Sequence, residues 1–179
     1  MKLHLPEKIE TERLVMNRVR YEDAEEIFYS YASKPEATRY LAFPTHQSVQ
    51  DARAFLAYAV SAWEKGIEYV YGIRIKSDGQ FIGTIGVINE FGKAHFGYSL
   101  SPLFWNLGLA TEACKELLPL LKKEKSIHRI WSFTDAENVA SGKVLLKCGL
   151  VEEARLSKWF RFINQDNAPK DCILYILRE

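Results

Sequence analysis

The sequence predicts an α+β fold, with a mostly antiparallel central sheet of about seven strands flanked by about four helices. Three observations support this fold class. The 179 residues fall within the ordinary size of one globular domain. Stretches with an apolar period of two are interspersed with stretches of helical period. No internal repeat, low-complexity tract or Pro/Gly/Ser-rich linker separates them. We therefore treat residues 1–179 as a single domain.

The composition restricts the classes of partner. The 24 basic and 23 acidic residues leave a formal charge of +1, which indicates neither nucleic-acid nor anionic-membrane binding. Cys114, Cys148 and Cys172 have no CxxC pairing, so we expect buried, reduced thiols rather than disulfides or a metal site. The chain lacks a signal-peptide run and a stretch of about 20 apolar residues. These features predict a cytoplasmic protein.

The first third of the chain reads as one strand followed by two helices. Residues 12–20 alternate between apolar and polar, which predicts a half-buried strand. Residues 21–33 form a helical segment with four carboxylates in its first turns, where they favour the positive end of the helix dipole. Ser48 opens a second helix, because Asp51 three residues later completes a capping-box pattern. Gly66 ends that helix.

The middle of the chain reads as a three-stranded meander. Residues 68–76 and 81–89 are rich in β-branched and aromatic side chains, and they are joined by a turn that contains Asp78 and Gly79. Asp-Gly between two such runs is a strong hairpin signal. Residues 94–101 continue the meander as a third strand.

The second half alternates helices and strands. A helix beginning at Ala110 has apolar residues at three- and four-residue steps. Pro119 should kink this helix or end it early, because it removes a hydrogen bond and clashes with the carbonyl of Lys115. A strand at 128–135 and a short helix at 138–149 follow. Two closing strands, at 154–163 and 172–179, are joined by a polar loop.

Gly108 stands at the start of the helix that follows the meander, where glycine costs roughly 1 kcal/mol relative to alanine. The first N–H groups of a helix form an anion site, and a glycine lets phosphate oxygens approach the backbone. Alternatively, Asn106 caps the helix and Gly108 relieves a tight turn after Pro102. The turn lacks the GK[ST] of a P-loop and the GxGxxG of a dinucleotide fold, so the pattern leaves both interpretations open.

The stretch "FGYSLSPLFWNLGLATEA", followed by "NVASGKVLLKCGL", resembles the GNAT acetyltransferases, in particular the RimJ/RimL-like branch that acetylates the N-termini of ribosomal proteins. In that branch the strand reads G-Y-x-L, the turn W-G-K-G-Y-A-T-E-A, and the later helix N-x-x-S-x-x-x-x-x-K-x-G-F. The opening "IETERLVMNRVRYEDAEEIF" and the closing "DCILYIL" are also similar. The resemblance implies a GNAT-like domain that uses acetyl-CoA as co-substrate and no metal.

The resemblance also implies roles for matching residues. Backbone N–H groups of the turn would bind the pyrophosphate of coenzyme A. The end of the preceding strand would pair with the pantetheine arm, one N–H polarising the thioester carbonyl, and an asparagine at the start of the later helix would hydrogen-bond the pantetheine. The implied cofactor-binding residues are Ser99, Leu100, Leu107, Gly108, Leu109, Ala110, Thr111 and Asn138.

Two departures from the family pattern carry consequences. Leu107 stands where the family usually has a basic residue, and Asn106 where it has a glycine. One cation that would face the phosphates is therefore missing, which implies weaker cofactor affinity or compensation by Lys143 or Lys147. The tyrosine that often protonates the leaving thiolate falls at Leu145. The nearest polar substitute is Ser141.

Acetyl transfer to an amine needs a neutral amine, a donor for the developing oxyanion and a proton route to the thiolate. Direct attack on the bound thioester needs no covalent enzyme intermediate. We select Glu90 as the candidate base, although it also reads as a solvated turn carboxylate. His95 is a second option, although a lone strand histidine is more often structural. Ser141 is the candidate proton donor, with helix packing as its alternative.

The leading functional hypothesis is an acetyl-CoA-dependent N-acetyltransferase acting on a primary amine, with a protein N-terminal α-amine as one acceptor. A small-molecule amine, such as an amino acid, polyamine or antibiotic, is the alternative acceptor. A non-catalytic acyl-CoA-binding or sensing protein is the alternative from another class. Pro44 and His46, between the first two helices, are candidates for the substrate rim. Monomer and homodimer both remain open.

Overall fold

The computed structural model describes residues 2–178 and confirms an α+β fold built on one open, mixed sheet. The strand order is β1-β2-β3-β4-β5-β6-β8-β7. The strands are β1 Lys8–Glu10, β2 Leu14–Arg18, β3 Glu68–Ile75, β4 Phe81–Glu90, β5 Lys93–Leu100, β6 Arg129–Asp135, β7 Leu150–Arg161 and β8 Pro169–Leu177. The sheet has one strand more than predicted, because the three residues of β1 are too few to show a period.

Five α-helices accompany the sheet in the described part of the chain. They are α1 Ala24–Ile27, α2 Pro35–Thr38, α3 Val49–Lys65, α4 Leu109–Lys123 and α5 Val139–Lys147. The first predicted helix is a composite, since a 3₁₀ turn at Tyr21–Asp23 precedes α1 and a π-helical turn at Phe28–Ala32 follows it. The capping box of Ser48 and Asp51 is present at the start of α3, and Gly66 ends it in a left-handed conformation.

The sequence predicts a kink or an early end at Pro119 of helix α4, and the early end is wrong. Helix α4 continues past Pro119 to Lys123. Pro119 is exposed, whereas Leu117, Leu118 and Leu121 on either side of it are buried. Burial of this apolar stripe stabilises the last turn by more than the lost hydrogen bond destabilises it, because each fully buried leucine contributes roughly 1.5–3 kcal/mol.

Side chains alternate between two core clusters, one on each face of the sheet. On β3, Tyr69 and Tyr71 belong to the cluster that α4 covers. Val70, between them, belongs to the cluster formed with α1 and α3. The sheet is therefore a central layer with helices on both sides, and residues of equal parity on one strand share a face.

The sheet opens between β5 and β6. These two strands form the one parallel pair of the described sheet, and they pair only over Lys93–His95 with Arg129–Trp131. All other neighbouring strands are antiparallel. Beyond the three pairs, β5 and β6 diverge and leave a wedge that is open at their carboxyl ends. We call this opening the β5–β6 wedge.

Candidate active site

The turn before α4 explains the unusual glycine. Gly108 is the N-cap residue of α4 and has φ +77° and ψ 5°, in the left-handed region that favours glycine. Asn106 also has a positive φ, of 61°. Since the N-cap is Gly108, the alternative interpretation in which Asn106 caps the helix is wrong. The backbone conformation of the turn, and not the packing of its neighbours, selects glycine here.

The same turn exposes free backbone donors. The first hydrogen bond of α4 runs from the N–H of Glu112 to the carbonyl of Gly108 at 3.0 Å. The N–H groups of Leu109, Ala110 and Thr111 precede it and have no acceptor within the helix. The Leu109 side chain is buried and anchors the turn to the core, whereas Leu107 is exposed. These amides, at the positive end of the helix dipole, fit a diphosphate group.

A basic residue that sequence reasoning missed contacts this turn. Arg13, just before β2, donates from its backbone N to Oε1 of Glu112 at 2.8 Å and from Nε to Oε2 at 2.6 Å. Its Nη1 donates to the carbonyl of Leu107 at 3.0 Å. The Thr11 hydroxyl donates to the same Glu112 carboxylate at 2.5 Å. Burial alone would raise the pKa of Glu112, but the hydrogen bonds from Thr11 and Arg13 lower it.

The β5–β6 wedge leads to the turn. Ser99 and Leu100 lie at the end of β5, beyond its pairing with β6, and both are buried. The Leu100 carbonyl accepts a hydrogen bond from Nε1 of Trp105 at 3.0 Å. The Ser132 hydroxyl donates to the carbonyl of Phe96 at 2.8 Å, near the closed end. An extended pantetheine chain fits this opening as an additional strand, beside the edge of β5 that β6 leaves uncovered.

Two predicted residues meet the wedge from α5. Asn138 is the N-cap residue of α5, and its side-chain carbonyl accepts from the N–H of Ser141 at 3.3 Å. The Ser141 hydroxyl lies 3.1 Å from the hydroxyl of Tyr98 on β5. Burial raises the pKa of Tyr98 well above its ordinary value, so its hydroxyl stays protonated. Leu145 is buried in the core cluster between α5 and the sheet, where it serves packing.

Glu90 is not brought together with these residues. It is the exposed last residue of β4 and pairs with Lys93, whereas Ser99 pairs with Thr84 at the other end of the hairpin. Those pairs are six residues apart, about 20 Å along the strands. The spacing of Glu90 from the open end therefore does not favour it as the base. The cross-strand register, which a single sequence does not reveal, decides this.

His95, the second option, stacks on Trp131 with ring centroids 4.6 Å apart and on Phe133 at 5.4 Å. Burial lowers the pKa of His95, although the negative charge of Glu90 opposes this effect. The imidazole is therefore neutral at neutral pH. It lies at the closed end of the β5–β6 wedge, in the last of the three parallel pairs.

Sequence reasoning also missed a carboxylate on the same face as His95. Gly86 and Gly97 pair across β4 and β5. Oε1 of Glu68 lies 3.8 Å from the point that a Cβ at Gly86 would occupy, and a Cβ at Gly97 would meet nothing within 4 Å. Burial raises the pKa of Glu68, opposed by a hydrogen bond with Tyr58 of α3. Gly86 and Gly97 are neighbours across the two strands, and because neither has a side chain, the space between Glu68 and the wedge is open.

The predicted substrate rim is tied to the β7–β8 loop. Asn164 donates from Nδ2 to the carbonyls of Thr38 and Phe43 at 2.7 and 2.8 Å. Its Oδ1 accepts from the backbone N of Thr45 at 3.0 Å. Pro44 beside it is exposed, whereas His46 is buried. The connection that carries Pro44 and His46 is therefore fixed against a loop more than 100 residues away in sequence.

The described residues 2–178 also include potential metal ligands and free thiols. No group of three or more His, Cys, Asp or Glu side chains there could hold a metal ion. Cys114 is fully buried, and its contact with Cys148 together with this burial raises the pKa of its thiol. This favours packing for Cys114 over nucleophilic attack. No helix in that range is long and apolar enough to cross a membrane.

Comparison with known proteins agrees with this geometry. The profile of the family described as "Acetyltransferase (GNAT) domain" matches residues 13–151. The chain is 27% identical over 170 residues to the uncharacterized N-acetyltransferase YoaA of Bacillus subtilis (strain 168), covering 93% of this chain and 94% of YoaA.

Two solved structures share the fold. The ribosomal L7/L12 α-N-protein acetyltransferase RimL in complex with coenzyme A has a TM-score of 0.85 at 16% identity, covering 95% of this chain and 97% of RimL. The microcin C7 self-immunity acetyltransferase MccE, in complex with acetyl-CoA and AMP, has a TM-score of 0.86 at 19% identity, covering 96% of each chain. The chain belongs to the GNAT acetyltransferase family, whose members take the acetyl group from acetyl-CoA.

Proposed function

We propose that this N-acetyltransferase acetylates a primary amine bound over Gly97, with a protein N-terminal α-amine as the first candidate acceptor. The observation that carries the proposal is the β5–β6 wedge, whose open end leads to the free amides after Gly108. The acetyl donor supplies the activated thioester. The residues of this chain hold it, orient the amine and move two protons.

Binding of the donor rests on backbone groups. The amides of residues 107–111 hold the diphosphate, and the edge of β5 at Ser99 and Leu100 aligns the pantetheine. An N–H of that edge donates to the thioester carbonyl, where negative charge develops. Such a preorganised donor contributes roughly 2.7–4 kcal/mol to transition-state stabilisation in other acyl-transfer enzymes. Asn138, at the start of α5, binds the pantetheine amide from the other side of the wedge.

Glu68 is the proposed acceptor of the amine proton, directly or through one water molecule. Its carboxylate reaches over Gly86 toward the open space at Gly97. The raised pKa of Glu68 makes it a stronger base than an exposed carboxylate. This matters less for an α-amine, which titrates at about 7.7–8.0, than for a lysine amine near 10.4.

Ser141 is the proposed proton source for the leaving sulfur. Its hydroxyl faces the wedge from the first turn of α5 and is paired with the Tyr98 hydroxyl. Tyr98 keeps its proton because burial raises its pKa, so it can pass that proton to Ser141 after transfer and then recover one from solvent. The pair would protonate the leaving thiolate, the role that the resemblance assigns to a tyrosine at the position of Leu145.

A small-molecule acceptor is the second candidate, favoured by aromatic side chains beside Gly97. Phe133 packs edge-on against Trp159 at 4.8 Å and is stacked on His95. Nε1 of Trp131 is buried without a hydrogen-bond partner among the described residues. Flat rings and a free donor suit a planar acceptor such as a nucleotide, and MccE was solved with AMP.

The test is acetyl-CoA turnover on a panel of amines, read as free-thiol release and as an acetyl mass increment on the acceptor. The panel contains hexapeptides with free N-termini, the same peptides with blocked N-termini and a free lysine, spermidine, and an amino-bearing nucleoside. AMP is added as a competitor. Acetylation of free N-termini alone supports the first candidate, whereas turnover of the nucleoside with inhibition by AMP supports the second. Coenzyme binding without turnover of any amine would overturn both.

A further inference from the structure

The proposed phosphate-binding turn, residues 106–111, has Leu107 at the position where the resemblance to the family implies a basic residue. A diphosphate is negatively charged, and backbone amides, which carry no net charge, do not neutralise it. Lys143 and Lys147 were the compensating residues that the sequence suggested. Both are exposed on α5 and neither contacts residues 107–111 through a hydrogen bond or ion pair within the described chain. The arginine at position 13 does contact the turn.

The Glu112 carboxylate accepts three hydrogen bonds and anchors the Arg13 side chain through Nε. Its Nε donates to Oε2 of Glu112, and its backbone N donates to Oε1. Thr11 supplies a further donor to the same carboxylate. A guanidinium that is already held through Nε by Glu112 and through Nη1 by the carbonyl of Leu107 loses little further freedom when it binds a second anion. Glu112 therefore holds the guanidinium in one orientation at the start of α4.

The outer edge of that guanidinium faces the turn. Nη1 donates to the carbonyl of Leu107, and Nη2 lies 3.6 Å from the point that a Cβ at Gly108 would occupy. Nη2 donates to no group within residues 2–178. About half of the side chain is accessible to solvent. Two N–H groups of a fixed cation thus lie beside the amides that are free to bind phosphate.

We propose that Arg13 is the phosphate-binding cation of this enzyme, with Nη2 donating to the diphosphate of the coenzyme while Nε stays bound to Glu112. This inference rests on the proposed diphosphate site after Gly108. A residue just before β2, rather than the turn itself, supplies the charge. Arg13 is a binding residue, and Glu112 and Thr11 are its positioning residues.

The experiment compares ligands with and without the diphosphate. We measure the dissociation constant of coenzyme A by calorimetry for the wild type, Arg13→Gln and Arg13→Lys. In parallel we measure kcat/KM for acetyl-CoA and for S-acetylpantetheine, which lacks phosphate. Arg155→Gln, which removes another exposed arginine paired to a glutamate, is the matched control. Thermal unfolding of every variant reports whether the fold is retained.

We expect Arg13→Gln to weaken coenzyme A binding about 10- to 100-fold, the range for a lost charge-assisted hydrogen bond. Arg13→Lys should weaken it less, because charge remains while the fork geometry is lost. Neither should change kcat/KM for S-acetylpantetheine more than twofold. Unchanged coenzyme affinity, or an equal loss for both donors, would overturn the proposal. If Arg13→Gln does not fold, the coenzyme A affinity of Arg13→Lys tests the proposal instead. Turnover of no amine by the wild type, with coenzyme binding still dependent on Arg13, would refute the acceptor assignment alone.

Discussion

The hydroxyl of Tyr98 on β5 lies 3.1 Å from the hydroxyl of Ser141 on α5. The bond joins the two sides of the β5–β6 wedge at the point where the acetyl group would be transferred. It also gives Ser141 a partner from which to recover a proton. A serine alone, with an ordinary pKa far above neutrality, would be a poor acid.

We predict that Ser141→Ala lowers kcat about 100-fold, since general acid catalysis contributes roughly 10²–10⁴-fold. Tyr98→Phe should lower kcat by a smaller factor, and the double variant should be no worse than Ser141→Ala, because the two hydroxyls act as one unit. Coenzyme A affinity, measured by calorimetry, should stay within twofold of the wild type. Additive losses in the double variant would argue for independent roles.

The second prediction concerns the base. Deprotonated Glu68 accepts the amine proton, so the rate should fall as pH decreases through the pKa of Glu68, which burial raises above 4.5. Tyr58 is the titratable group that contacts the Glu68 carboxylate, through a hydrogen bond. Glu68→Gln should remove this acidic limb and lower kcat about 100-fold. The measurement is a pH profile of kcat on an amine that stays neutral over the range.

Glu90→Gln is the matched control, because Glu90 is an exposed carboxylate on the neighbouring strand. We expect its pH profile to follow that of the wild type. An acidic limb that persists in Glu68→Gln and disappears in Glu90→Gln would restore Glu90 as the base.

The third prediction tests the turn. Gly108→Val should abolish coenzyme A binding, because a side chain in the left-handed region costs roughly 1–2 kcal/mol and pushes the turn away from φ +77°. Gly79→Val is the control, since Gly79 has φ +76° and an added Cβ there would meet nothing within 4 Å. Both variants should lose similar stability in urea unfolding. Loss of coenzyme binding in both would indicate a general folding defect.

The fourth prediction separates two strand glycines. A Cβ at Gly83 would lie 2.1 Å from the carbonyl oxygen of Ser99, so Gly83→Ala must displace the end of β5. We expect it to lower the free energy of unfolding by about 1–3 kcal/mol and to weaken coenzyme binding. Gly97→Ala should leave both nearly unchanged, because nothing lies within 4 Å, yet raise KM for the amine. An unaltered amine KM would place the acceptor elsewhere.

The sequence predicts the local features of this fold well. The Ser48 capping box, the Asp78-Gly79 hairpin and the glycine at the helix start depend on residues a few positions apart, where spacing carries the information. The resemblance of the turn and the following helix implied a cofactor site there, which stays a prediction. The missed strand β1 and helix α2 are too short for a period to be read.

The residues that the sequence did not predict act through distant partners. Arg13 and Glu112 are 99 positions apart, and Tyr98 and Ser141 are 43 apart. Glu68, the proposed base, is open toward Gly97 only because Gly86 and Gly97 face each other across two strands. No pattern in a single chain indicates such pairs, since register and helix docking decide them.

Because the parallel pairing of β5 and β6 is short, the stability of the protein should depend on its ligand. Only three residue pairs join the backbones of β5 and β6, and beyond them the described part of β5 has no backbone pairing to β6. If a coenzyme binds along this edge of β5, as we propose, it adds RT ln(1 + [L]/Kd) to the free energy of unfolding. We therefore expect molecules that lack coenzyme to be cleared first by proteolysis, so that the amount of this protein follows the coenzyme supply.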